Sequence, residues 1–234
     1  MIHRIHTHAL KASLTAACAL LVTGAGFTQA APADDMARLY ALPPAGSVYV
    51  RVVNATRHAL DISMAGQADI QLPPDREPLV SAYYPIPGDQ PYSLTANQQA
   101  LSVDPAPPGA GFVSLLVLAD GENGLRAQAI VDKGVAADGL KAELAIYNLI
   151  PGCTAEISLE SGQAVFTDVA FQGRQARAIN PIRTGLTGAC GAEQSPVFIL
   201  PELKGGDHFS LFLLGDSHSP ILAGALNQVM PSGQ

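Results

Sequence analysis

The chain has 234 residues, 48% of them apolar and only 14% charged, with a formal net charge of −7. So large an apolar share excludes a disordered chain, and the charged share lies well under the roughly 25% of an ordinary soluble domain. The acidic balance counts against a nucleic-acid partner, which needs a basic face. The 22 glycines and 18 prolines make the sequence turn-rich without collagen periodicity or low-complexity bias.

Residues 1–30 read as a signal peptide. Met1 to Lys11 is a basic n-region with Arg4, Lys11 and three histidines, and Leu14 to Phe27 is an apolar run. Thr28-Gln29-Ala30 offers small residues for cleavage after Ala30. The run is shorter than the roughly 20 residues that span a bilayer, although an uncleaved membrane anchor is the alternative. Cys18 follows Thr15-Ala16-Ala17, a poor lipoprotein box. Cleavage leaves 11 basic and 20 acidic side chains, a net charge of −9, in a chain expected to be exported.

The next segment places Leu39-Tyr40 before a proline turn and the strand-like run Val48 to Asn54. There Val48, Val50 and Val52 alternate with Tyr49, Arg51 and Val53, giving one apolar and one mixed face. Leu140, Ala142, Leu144 and Ile146 alternate in the same way. Ala155 to Leu159, Ala164 to Val169 and His208 to Leu214 are further short runs bounded by Gly, Pro, Asp and Asn. No helix-period segment of convincing length follows the signal.

The sequence contains itself twice. PAPPGAGFVSLLVLAD (105–120) aligns without a gap on PELKGGDHFSLFLLGD (201–216), with Ser114 over Ser210 at an offset of 96. VYVRVVN (48–54) faces AELAIYN (142–148), and Gly66-Gln67-Ala68 faces Gly162-Gln163-Ala164. Three matches in order at nearly one spacing point to a tandem duplication. The expected fold is all-β, two tandem small β-sandwich domains over 38–134 and 140–230, joined near Lys133 to Gly139.

Two cysteines remain after the signal, Cys153 and Cys190. In an oxidising compartment an even pair reads as a disulfide, worth ~4 kcal/mol on the loop-entropy account, with two separate buried thiols as the alternative.

No catalytic constellation emerges. Gly215-Asp216-Ser217 resembles the nucleophile block of SGNH esterases, but that block opens its domain and an Asp-x-x-His follows far downstream. Here only seventeen residues follow Ser217, and the repeat's counterpart is Ala119-Asp120-Gly121. A hairpin turn explains both copies. His58, His208 and His218 lack metal-ligand spacing and read as solvated loop histidines. No phosphate-cradling or dinucleotide loop is present, so neither a metal nor a cofactor is expected.

Two recognition surfaces are open. Arg174, Arg177 and Arg183 concentrate basic charge within 173–183 of an acidic chain. They suit a carboxylated polymer or an acidic partner through bidentate pairs; a solvated strand edge protected by charge is the alternative, and the weightier of the two. Leu39-Tyr40 offers an exposed contact or a strand packed across the domain boundary.

These residues resemble a known family. Leu39-Tyr40, the proline turn, Gly46-Ser47 and Val50-Arg51-Val52-Val53-Asn54-Ala55 look like the opening of the mature AlgF family of alginate biosynthesis proteins. Ala178-Ile179-Asn180-Pro181-Ile182 looks like that family's Ile-Asn-Pro segment. The resemblance implies a periplasmic adaptor of paired β-domains needed for O-acetylation of a secreted polysaccharide. Its partners would be a membrane-bound O-acyltransferase and SGNH-type periplasmic acetyltransferases. Leu39, Tyr40, Arg51 and Asn54 are the expected contact on one side, and Arg177, Asn180 and Pro181 on the other; the alternative for the same residues is that they define strand ends and turns of the fold. The acidic charge leaves only a weak polysaccharide contact, and a neutral polymer remains open. The competing readings are an acetyltransferase or esterase using Ser217, and a carbohydrate-binding module. The latter lacks an aromatic platform in a chain without tryptophan.

Overall fold

The computed structural model describes residues 46–64, 66–74, 78–107, 109–122, 124–132 and 140–230, all within one compact unit. The expected signal peptide, Leu39, Tyr40 and the junction at 133–139 lie outside them.

Among the described residues there are only strands and turns. The first half contributes β1 (Ser47–Asn54), β2 (Leu60–Met64), β3 (Ile70–Leu72), β4 (Tyr84–Pro87), β5 (Tyr92–Ala96), β6 (Gln99–Val103), β7 (Phe112–Asp120) and β8 (Gly124–Val131). The second contributes β9 (Ala142–Asn148), β10 (Ala155–Leu159), β11 (Ala164–Val169), β12 (Arg174–Ile179), β13 (Thr184–Cys190), β14 (Glu193–Gln194), β15 (Phe198–Leu200), β16 (His208–Asp216) and β17 (Ser219–Leu226).

The first half forms sheets β4-β1-β7-β8 and β3-β2-β5-β6; the second forms β12-β9-β16-β17 and β11-β10-β13-β14, with β15 added beside β13. Strand for strand the orders correspond, and in each half the first strand pairs parallel with its partner, β1 with β7 and β9 with β16. The repeat seen in the sequence is thus a repeat of topology.

Each half is a sandwich around its own core. Val48, Val50, Val52, Val113 and Leu115 meet Leu60, Ile62, Leu72 and Leu94 in the first. Leu144, Ile146, Leu211 and Leu213 meet Ile157, Phe166 and Leu186 in the second. A third cluster joins Val53, Val80 and Leu116 of the first half to Ala145, Tyr147, Phe212 and Leu214 of the second. The sheets therefore stack in four layers, with β4-β1-β7-β8 and β12-β9-β16-β17 inside.

This stacking alters the reading of the mixed face. Tyr49, Arg51 and Val53 do not face water: each is buried, and Arg51 and Val53 meet the opposite half directly. Leu140, expected to open the second alternation, is 83% exposed, and the strand begins at Ala142. Cys153 and Cys190 are bonded, with Cα atoms 5.6 Å apart, between the loop before β10 and the end of β13.

Candidate functional site

Polar side chains from both halves converge between the inner sheets. Arg51 lies on β1 at the register position of Ser114 on the parallel β7. Its Nε donates to Ser114 Oγ (2.7 Å), Nη1 to Asn227 Oδ1 (2.8 Å) and Nη2 to Ser210 Oγ (3.1 Å). Asp132 Oδ1 stands 3.7 Å from Nη2. The guanidinium lies 4.6 Å from the Tyr83 ring centroid and 4.9 Å from that of Phe212.

Asp132 is the second hub. Tyr83 and Tyr147 each donate a hydroxyl to its carboxylate at 2.7 Å, and Ser114 donates at 2.9 Å. Burial pushes both tyrosine hydroxyls up, Tyr83 furthest, and the neighbouring carboxylate adds to the shift while Arg51 opposes it. Beyond Tyr147 the chain of contacts reaches Arg174, which donates to the Tyr147 hydroxyl (3.1 Å) and to Glu143 (2.7 Å). Glu143 in turn stands 3.3 Å from His208 Nδ1.

Arg51 and Asn54 are each 1% exposed and cannot present a surface to a partner. Arg51 ties the halves together, as above. Asn54 Nδ2 donates to the carbonyls of His58, Leu72 and Pro73, while its Oδ1 accepts from Thr56 N. Its repeat counterpart plays the same part: Asn148 Nδ2 donates to Cys153 O and Val169 O, and Oδ1 accepts from Ile150 N. Both close the loop that carries the chain from inner to outer sheet. His208 is likewise no solvated loop residue, being buried beside Glu143. His58 and His218 are exposed.

The second expected contact lies elsewhere. Arg177, Asn180 and Pro181 stand on the surface of the second half. With Leu144, Leu159, Val165, Ile179, Ile182, Leu186 and Leu200 they line a groove of about 360 Å³ between β12 and β11, the edge strands of the two sheets. Below Pro181 the edges are laced together. Arg177 Nη1 donates to Val165 O (2.7 Å) and Gln175 Nε2 to Thr167 O (2.8 Å). Arg174, grouped with Arg177 and Arg183 in the sequence, turns inward to Glu143. Val197 and Ile199, 45% and 52% exposed, leave aliphatic surface around Gly185.

Ser217 lies in the two-residue turn between β16 and β17, where Asp216 pairs with Ser219. Gly215 has φ 91°, and a Cβ there would sit 2.5 Å from Ser219 O, so the turn needs glycine. The backbone N–H of His218 holds the Asp216 carboxyl below its usual range, helped by the guanidinium of Arg57, with which Asp216 pairs. Asp216 thus shapes a hairpin, like Asp120 opposite Gly124 in the first half. Among the described residues no three His, Cys, Asp or Glu side chains are grouped to hold a metal ion.

Sequence reasoning missed Asp132, Tyr83, Tyr147 and Asn227. A signal was present: Ser114 and Ser210 are polar residues at one matched position inside otherwise apolar runs. A polar atom placed there in both copies needs a buried partner.

No protein-family model matches the chain, and no curated protein does. Among solved structures, the chain is similar to the C-terminal domain of AlgF from P. aeruginosa at 23% identity and a TM-score of 0.33, covering 37% of this chain and 98% of that one. It is similar to the family 26 carbohydrate-binding module CBMbc of Eubacterium rectale Amy13K at 10% identity and a TM-score of 0.24, over 80% of this chain and 99% of that one. The Bacillus anthracis TIE protein aligns at 12% identity and a TM-score of 0.24, over 72% of this chain and 34% of that one.

Proposed function

We propose that the protein is an exported, non-catalytic adaptor for O-acetylation of a secreted polysaccharide, alginate or a related polymer. In this reading it holds a membrane-bound O-acyltransferase beside SGNH-type periplasmic acetyltransferases. The observation that carries it is the split fate of the two sequence blocks that resemble the AlgF family. Residues Arg51 and Asn54 of the first block fix the body of the protein, while Arg177, Asn180 and Pro181 of the second are displayed on its surface. A body of two firmly joined sandwiches with contacts at separate places raises the effective concentration of one partner for another. Leu39 and Tyr40 supply the other contact, and the polymer itself is touched weakly or not at all.

The test is recovery of partners from the membranes and periplasm of the source, with polymer acetylation assayed alongside. Asn180→Arg with Ile182→Asp, both on exposed positions, is expected to lose the acyltransferase component and acetylation together while polymer is still secreted. Ser217→Ala is expected to leave acetylation intact. Loss of acetylation in a folded Ser217→Ala protein would replace the adaptor with an enzyme. Polymer binding by the protein alone, at useful affinity, would replace it with a carbohydrate-binding module.

A further inference from the structure

The groove beside Pro181 has the chemistry of a ligand site as well as of a rim. Its floor and walls are aliphatic: Leu144, Leu159, Ile179, Leu186 and Leu200. Of all its lining residues, Arg177 alone carries a charge. One guanidinium N–H is engaged by Val165 O, and a guanidinium has five such donors. Asn180, Thr184 and Gln163 add polar groups to the lining.

The groove exists because the two sheets part there. Asn180 and Pro181 follow the last residue of β12, and proline has no N–H with which to continue a ladder. Its position and composition also say how an occupant enters. An added peptide strand would need the free carbonyls of β11, but those of Val165 and Thr167 already accept from Arg177 and Gln175. What fits is a narrow apolar tail sliding between the sheets, with an acceptor at its end for Arg177.

The duplication supplies an internal comparison. The corresponding place in the first half, lined by Met64, Ile86, Pro87, Gln90, Pro91, Tyr92, Ser93 and Leu115, holds about 140 Å³ and bears no charged residue. The second half has thus both widened the opening and placed a cation in it.

We propose that this groove binds an aliphatic monoanion, a medium-chain carboxylate, with its tail on Leu144, Leu186 and Leu200 and its head on Arg177. The proposal goes beyond the adaptor reading and does not depend on it.

The experiment titrates the purified protein with hexanoate, octanoate and decanoate, and with octanol, following backbone amide resonances. Affinity is expected to rise about fourfold for each methylene that leaves water. The shifted amides are expected within 163–165 and 177–186. Arg177→Gln is expected to weaken octanoate about tenfold or more, the loss of one charge-assisted bond, and to leave octanol unchanged. Equal affinity of the wild-type protein for octanol and octanoate would overturn the proposal. So would affinity independent of chain length, or shifts at Met64 and 86–93 instead. Binding only to acyl chains presented in phosphatidylglycerol vesicles would replace it with a membrane-surface contact. Octanoate binding that persists where partner recovery fails would overturn the adaptor alone.

Discussion

Asp132 and Asn227 occupy the same place in the two halves, and Arg51 reaches both. Each follows the last strand of its inner sheet and donates its backbone N–H to the residue that opens the neighbouring strand, Asp132 to Phe112 O and Asn227 to His208 O. Each accepts a serine hydroxyl, Asp132 from Ser114 and Asn227 from Ser210, at 2.9 and 3.0 Å. The matched position thus carries a charge in one copy and a neutral amide in the other, and the arginine that reaches both belongs to the first copy. The counterpart of Arg51 is Ala145, opposite Ser210 as Arg51 is opposite Ser114.

Removing that arginine strands a buried carboxylate. Arg51→Met is expected to cost about 3–5 kcal/mol in urea unfolding, because Asp132 loses its countercharge in a buried place. Asp132→Asn in the same background should recover part of the loss. If single and double variants are simply additive, the two residues do not act as a pair.

The buried tyrosines make the fold sensitive to alkali. Tyr83 and Tyr147 have their ionisation pushed above the ordinary value of 10.0 by burial first and by Asp132 in addition. In the unfolded chain both ionise near pH 10, while the folded state holds their protons. Their contribution is therefore complete below pH 10 and falls as pH climbs beyond it. The slope is expected at about 1.4 kcal/mol per pH unit for each tyrosine. Urea midpoints between about pH 8 and pH 12 would show it, and Tyr147→Phe should flatten the curve. A stability unchanged to about pH 11.5 would show that these hydroxyls ionise as freely as in water.

Reduction of Cys153–Cys190 is expected to remove about 2–5 kcal/mol. Thermal unfolding with and without reductant measures this, with Cys153→Ala/Cys190→Ala as the control that should be indifferent to reductant. An unchanged melting midpoint on reduction would mean that the bond holds nothing the rest of the second sandwich does not.

The two asparagines form a matched pair. Asn54→Ala and Asn148→Ala each leave buried carbonyls without a donor, at about 1–3 kcal/mol for a group so stranded. We expect similar losses from both, since each ties the corresponding loop of its own half. A large loss at one and none at the other would show that the repeat keeps the geometry without its energetic role.

Much of the architecture is legible in one dimension. The runs Ala155–Leu159 and Ala164–Val169 are β10 and β11 to the residue, because the Gly, Pro, Asp and Asn residues that bound them mark where the chain turns. The all-β class rests on such local signals, and the duplication on three ordered self-matches at nearly one spacing. The contacts of Arg51 are not legible. Its partners Ser210 and Asn227 lie 159 and 176 residues away, and alternation cannot tell a polar side chain that meets water from one that meets buried polar groups. His208 escapes for the same reason, its buried neighbour Glu143 lying 65 positions earlier. The groove residues Arg177, Asn180 and Pro181 stand out as a cluster of unlike residues in an otherwise plain strand end. The space between them belongs to the packing of two sheets.

A single guanidinium between matched serines makes the join between the halves selective. Two copies of the first half, brought together through this face, would crowd two guanidinium groups and two Asp132 carboxylates into the space that one of each occupies. Two copies of the second would meet across paired alanines, with nothing to fill the space a guanidinium occupies. Only unlike halves satisfy the face, so halves made separately are expected to assemble as one-to-one heterodimers and to remain monomeric alone. What began as a repeat of one unit has become a lock and key carried on the same chain, and neither part can be exchanged for a second copy of the other.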